Sequence, residues 1–231
     1  MYTLKDVEEL MPHFRTTDYG NQITPCAGIS AVFFDAGHLL GSASIQITIT
    51  ENGETHTIVF SGDVGTPYRP LLRSPHAPDK ADTLIIESTY GDRPRPKQPK
   101  DLELRLAAII KSTLSGGGNV VIPSFAVGRT QELLYMLRRI KNQKLTLNNF
   151  PVYLDSPLAI EATNIYKETL HEYFDEETNA LLAKGINPIG FPGLYLTKTS
   201  DASKLINADP TPKVIISASG MCEAGRIRHH L

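Results

Sequence analysis

The chain has 231 residues, a formal net charge of −2 and 41% hydrophobic content, enough for one large or two modest globular domains with a real core. No apolar run approaches the roughly 20 residues of a membrane-spanning helix, and the opening "MYTLKDVEELMPHF" has early acidic residues and no apolar signal-peptide core. Cys26 and Cys222 alone exclude a disulfide framework and a thiolate zinc cage, and a cytoplasmic protein is expected.

The first third reads as β-rich. Strands are predicted over 29 to 34, 43 to 50 and 56 to 60; "SIQITIT" alternates as a half-buried strand does, and "ENGE" centres a hairpin turn on Asn-Gly. "TLIIES", 83 to 88, is a continuous apolar run and predicts a buried strand. The proline-rich stretch from 94 to 99 reads as a linker, dividing a region 1–93 from a region 94–231. The basic residues within "GDRPRPKQPK", like "RRIK" and "RIRHH", are read first as solvated loops and helix faces.

An α/β pattern follows. Leu102, Leu106, Ile109, Ile110 and Leu114 share a helical face that "SGGGN" terminates. "VVIP", "PVYLD" and "KVIIS" predict three strands, each ending in a small-residue turn that opens a helix, and "GRTQELLYMLRRIK" is an amphipathic helix. That repetition predicts a parallel sheet with ligand-facing strand ends. The final "GRIRHHL" reads as a helix barely begun.

Certain residues at these strand ends suit chemistry. His38 in "DAGH" and Asp63 in "FSGDVG" each follow small residues at the end of a strand, where an imidazole and a carboxylate form half a ligand set for a divalent transition metal. A hydrogen-bonded turn histidine and a turn-closing aspartate fit the same spacing. Glu87, after four apolar residues, is awkward unless it faces a site or a partner; ligand orientation, proton transfer, an N-cap and a salt bridge all remain open. Ser124 with Arg129, Ser156 after Asp155, and Ser219 within "SASGM" sit at strand-to-helix turns, where free N–H groups attract anions. Serine N-caps are common, but three such turns on successive parallel strands would line one anion-binding edge.

In order, "DAGHLLGSA", "FSGDVG", "IIESTYGDR", "IPSFAVGRTQELL", "LDSPLA" and "ISASGMCEAGR" resemble the β-CASP branch of the metallo-β-lactamase superfamily, a group of RNA-processing nucleases. The resemblance runs from about residue 29 to the end. It implies part of a metallo-β-lactamase αββα sandwich followed by an inserted α/β β-CASP domain with a mainly parallel sheet. It also implies a site with two zinc ions. His38 matches a ligand of one zinc and Asp63 the carboxylate bridging both; with Glu87, which matches the acidic residue of the first β-CASP motif, they form the implied catalytic set. Ser124, Arg129, Ser156 and Ser219 fall in motifs that hold the RNA backbone. "ESTYG" favours RNA over DNA. The activity implied is metal-assisted hydrolysis of RNA phosphodiesters, in a homodimer or a nuclease complex.

The family's H-x-H-x-D-H run occurs nowhere in the chain, nor does the late histidine ligand that follows the insertion; His229 and His230 do not match it, and neither is given a metal role. The chain is therefore expected to be an internal piece of a longer protein and inactive alone. The competing expectation is a non-catalytic subunit of the same family that binds RNA or a partner nuclease. A further alternative is a metallohydrolase of this fold acting on a small molecule.

Overall fold

Alternating apolar residues at Val32, Phe34, Ile45, Ile47 and Ile49 build the first sheet of the chain, seen in a computed structural model that describes residues 2–67, 69–94, 101–146, 149–169 and 171–231. The structure divides into two compact units. The first comprises Met1–Gly37, Gly41–Gly65 and Pro75–Gly91; the second comprises His38–Leu40, Thr66–Ser74 and Asp92–Leu231.

The first unit begins with helix α1 (Leu4–Leu10), capped by a reciprocal Thr3–Asp6 box. Its mixed five-stranded sheet then runs in sequence order: β1 (Gln22–Cys26), β2 (Ile29–Asp35), β3 (Ala43–Glu51), β4 (Glu54–Phe60) and β5 (Thr83–Ile85). The first three pairings are antiparallel and β4 pairs with β5 in parallel. Asn52 and Gly53, both at positive φ, close the β3–β4 hairpin as the Asn-Gly signal predicts.

Two readings of this region need amendment. α1 and β1 carry no strong periodicity and are not predicted. The "TLIIES" run is not a buried strand: only 83–85 are paired, and Leu84, Ile85 and Ile86 are 57%, 50% and 63% exposed. β5 is an edge strand, so an apolar run alone did not determine its burial.

The second unit holds most of the buried apolar residues. Around a parallel sheet of order β6-β9-β7-β8 lie β6 (Val120–Pro123), β7 (Val152–Asp155), β8 (Leu194–Leu196) and β9 (Val214–Ser217). The helices are α2 (Leu102–Ser115), α3 (Arg129–Asn142), α4 (Pro157–Glu168), α5 (Glu176–Ala183) and α6 (Ser200–Ala208). Ile110 of α2, Leu134, Leu137 and Ile140 of α3, Ile160 of α4, and Val152, Leu154, Val214 and Ile216 of the sheet form one fully buried cluster. β9 reads apolar throughout because it is central and covered on both faces.

The predicted three-stranded parallel sheet thus has a fourth strand, β8, whose three residues are too few to show a period. The final segment is a short 3-10 turn, Arg226–His229, rather than the start of an α-helix. The proline-rich linker lies, beyond Pro94, outside the described residues. Together the two sheets give an α/β architecture with a mixed metallo-β-lactamase-like region and an all-parallel region.

Candidate functional site

In the first unit, the hydrogen bonds at the sheet's end converge on Ser61. Its N–H donates to the Ile85 carbonyl at 2.9 Å, and its carbonyl accepts from Ser44 Oγ at 2.7 Å. Ser61 Oγ accepts from the Glu87 N–H at 3.0 Å and donates to the Gly62 carbonyl at 2.7 Å. Glu87 Oε1 in turn accepts from the Val64 N–H at 2.7 Å. The turn carrying Asp63 is therefore clasped from both sides by the segment carrying Glu87, and the Asp63 carboxylate is left exposed. Gly62 is required here: its φ is +56°, and a Cβ would stand 2.8 Å from the Ala43 carbonyl oxygen. Buried Ser61 is the residue that sequence reasoning missed; the signal was the small residue separating Phe60 from the "GD" turn.

Because β2 and β4 are both antiparallel to β3, they run the same way, and β5 is parallel to β4. Asp35, Phe60 and Ile85 thus end three strands at one end of the sheet. Asp35 Oδ1 accepts from the Gly37 N–H at 2.8 Å and turns the chain toward His38. His38 itself groups with the second unit, where its carbonyl receives Arg69 Nη1 at 3.4 Å. The structure brings the Asp63 turn and Glu87 together, and places His38 in the other unit.

In the second unit, Pro123 pairs with Ser217, Ser217 with Asp155, and Leu154 with Leu196, so the carboxyl ends of all four strands align on one edge. This is where ligands bind in open α/β sheets. Ser124 follows β6 but is buried, and its hydroxyl is used internally: it accepts from Thr130 Oγ1 at 3.2 Å and faces the Phe125 carbonyl at 3.3 Å. Ser156 is the buried N-cap of α4, accepting from the Ala159 N–H at 3.3 Å, with Pro157 at the first helical position. Ser219, half-buried, closes a turn in which its carbonyl accepts from the Cys222 N–H at 3.2 Å.

Arg129 opens α3 with an exposed guanidinium whose Nη1 lies 2.7 Å from Glu132 Oε2. The other carboxylate oxygen of Glu132 is ion-paired with Arg69 Nη2. Two arginines on one largely buried glutamate leave a net positive charge at the start of the helix, where the helix dipole already favours anions. Arg69 is a second residue missed in the sequence, because 63 positions separate it from Glu132.

A third group was only half seen. Asp155, fully buried at the end of β7, accepts from Ser203 Oγ at 2.6 Å, Arg226 Nη1 at 2.8 Å and His230 Nε2 at 2.8 Å. Burial alone would raise its pKa, but the three hydrogen bonds and the Arg226 charge outweigh burial and hold it below the usual carboxylate value.

Zinc would need donors of the histidine or carboxylate type, and His38 and Asp63 are of that type. Among the described residues, however, no group of three or more His, Cys, Asp or Glu side chains converges to hold a metal ion. Two donors do not make a catalytic zinc site, which takes three protein ligands for one ion. The residues present do not by themselves fit the two-zinc centre. Among the described residues, no helix is long and apolar enough to cross a membrane.

Comparison with known proteins agrees with this arrangement of motifs. A family model described as the Beta-Casp domain matches residues 130–231. Ribonuclease TTHA0252 of Thermus thermophilus is 40% identical over 227 residues, covering 98% of this chain and 50% of the relative. An RNase J-like protein of Methanocaldococcus jannaschii is 33% identical over 234 residues, covering 100% of this chain and 52% of the relative. Endoribonuclease YSH1 of Candida glabrata is 30% identical over 233 residues, covering 99% of this chain and 29% of the relative. The chain thus spans about half the length, or less, of these curated relatives. Residues 130–231 thus belong to the Beta-Casp domain family, and nearly the whole chain is similar to part of relatives named as RNA nucleases.

Proposed function

We propose that this chain is the central part of a zinc-dependent ribonuclease that hydrolyses RNA phosphodiester bonds in the cytoplasm, alone as a homodimer or within a nuclease complex. The observation that carries the reading is the clasp between Glu87 and the Asp63 turn, which holds an exposed carboxylate rigidly at a strand end. Hydrolase activity is supported by the relatives, two of which bear the names of ribonucleases.

His38 and Asp63 would supply two metal donors, and a catalytic zinc would need further donors beside them. A zinc ion held there would supply Lewis-acid chemistry. The chain's own residues orient and bind. Glu87 fixes the Asp63 turn through the Val64 N–H. Arg129, beside the turns of Ser124, Ser156 and Ser219, places positive charge along the carboxyl edge of the second sheet, suited to a phosphate backbone.

The test is cleavage of a labelled single-stranded RNA by the full-length protein and its Asp63→Ala variant. Loss of cleavage with an unchanged melting temperature supports the assignment, since the Asp63 side chain is exposed and carries no packing. Undiminished cleavage by the variant overturns it.

A further inference from the structure

The sheet edge that carries these serines also carries a phenylalanine in an unusual setting. Phe125 follows Ser124 directly at the end of β6, and it is 58% exposed. Exposure of a single apolar residue is commonplace; here, however, the residue is held in place. Its carbonyl accepts from Thr130 Oγ1 at 2.7 Å and faces Ser124 Oγ at 3.3 Å, so α3 anchors its backbone. Its ring lies against Gly220: a Cβ on that glycine would stand 3.3 Å from both Cδ2 and Cε2. One edge of the ring therefore packs closely on the Gly220 backbone, where an added Cβ would be tight, while the residue as a whole stays largely exposed.

A solvent-facing aromatic ring on a surface that also carries cations is what single-stranded nucleic-acid sites use. Every base has a π-face, so stacking tolerates sequence while cations track the phosphates. Arg129, four residues after Phe125, opens α3 at the end of the same turn, and Ser219 precedes the glycine against which the ring lies. Phe125 and Arg129 thus both follow the carboxyl end of β6, on the edge where the strand ends align.

We propose that Phe125 is a stacking platform for one base of a single-stranded RNA whose phosphates lie along the carboxyl edge of the second sheet. This rests on the RNA reading of the site given above. Phe125 contacts the base and not the reacting atoms; it is a binding residue.

The experiment measures RNA affinity by fluorescence anisotropy with the full-length protein, in chelator so that the strand is not cut. The probes are a ten-nucleotide oligoadenylate and a series of the same strand, each lacking one base but keeping the ribose and phosphate. Phe125→Leu is expected to weaken binding of the intact strand roughly five- to 150-fold, the range for one stacked base, and Phe125→Tyr to bind as the parent does. One abasic strand should bind the parent as weakly as the intact strand binds Phe125→Leu, and should bind parent and Phe125→Leu equally. Equal affinity of parent and Phe125→Leu for the intact strand overturns the proposal while leaving the RNA reading in place. A Phe125→Leu loss that persists undiminished on every abasic strand overturns it as well, since the ring would then act through the fold. Failure of the parent to bind any strand removes the RNA reading itself, and the stacking role with it.

Discussion

His230 Nε2 lies 2.8 Å from Asp155 Oδ2, and both side chains are completely shielded from solvent. The Nδ1 atom of the same ring lies 2.7 Å from Asn207 Oδ1, whose amide nitrogen donates to the His229 carbonyl. Asp155 also receives Arg226, so the last residues of the chain are tied to the end of β7 and to α6 by one buried polar network. His230 thus has a structural role at the edge of the sheet.

Asp155→Ala should destabilise the protein by about 3–5 kcal/mol, because it leaves Arg226 and His230 without their buried acceptor. Urea denaturation monitored by circular dichroism measures this. Arg228→Ala, at an exposed site in the same turn, should change stability by less than about 0.5 kcal/mol. Since Asp155 is held below the usual carboxylate value, its stabilising contribution is complete above the unfolded value of about 3.9 and is lost as pH falls through the lowered folded value. A stability profile from pH 6 down to pH 2 should fall less steeply at its acid end in Asp155→Asn than in the parent.

Glu132 separates the roles of its two arginines. Arg69 is the more buried partner and should matter to the fold: Arg69→Ala is expected to cost about 1–3 kcal/mol of stability. Arg129 is largely exposed, so Arg129→Ala should leave stability nearly unchanged and weaken single-stranded RNA binding uniformly across sequences. In a plot of log affinity against log salt, the slope for Arg129→Ala should shrink by about 0.7, the value for one lost contact to a single strand. An unchanged slope would remove Arg129 from the phosphate contacts.

Gly62→Ala should cost about 1–3 kcal/mol of stability, since alanine is strained at φ +56° and its Cβ meets the Ala43 carbonyl. The strain falls on the turn that carries Asp63, so RNA cleavage by the full-length protein should drop further than the stability loss accounts for. Cleavage rates measured well below the melting temperature of the variant distinguish the two effects.

Tyr135 of α3 is almost wholly buried, and burial pushes its phenol up to about 12. The raised value means that the folded state holds this proton more tightly than the unfolded chain does. Its stabilising contribution is whole below about pH 10 and is lost as pH rises through about 12. Melting temperatures between pH 9 and 12 should fall more steeply in the parent than in Tyr135→Phe, and tyrosinate absorbance should lose one late-titrating phenol in that variant.

Much of this was legible in the sequence because its causes are local. Period-two alternation in "SIQITIT" and the Asn-Gly turn fix the β3–β4 hairpin, and the 3.6-residue spacing of Leu106, Ile110 and Leu114 makes α2. Small residues beside His38, Asp63 and Ser219 mark turns where only compact side chains fit. What the tertiary structure alone decided is non-local. The exposure of Leu84 to Ile86 follows from β5 lying at an edge, which depends on the other strands and not on its own composition. The placing of β9 between β6 and β7 needs pairings across some sixty and ninety residues, between strands that look alike in sequence. Glu87 finds the Val64 N–H, and Asp155 finds His230, because a partly or wholly buried carboxylate must take donors from whatever backbone or side chain the fold brings within reach, and no spacing along the chain records that.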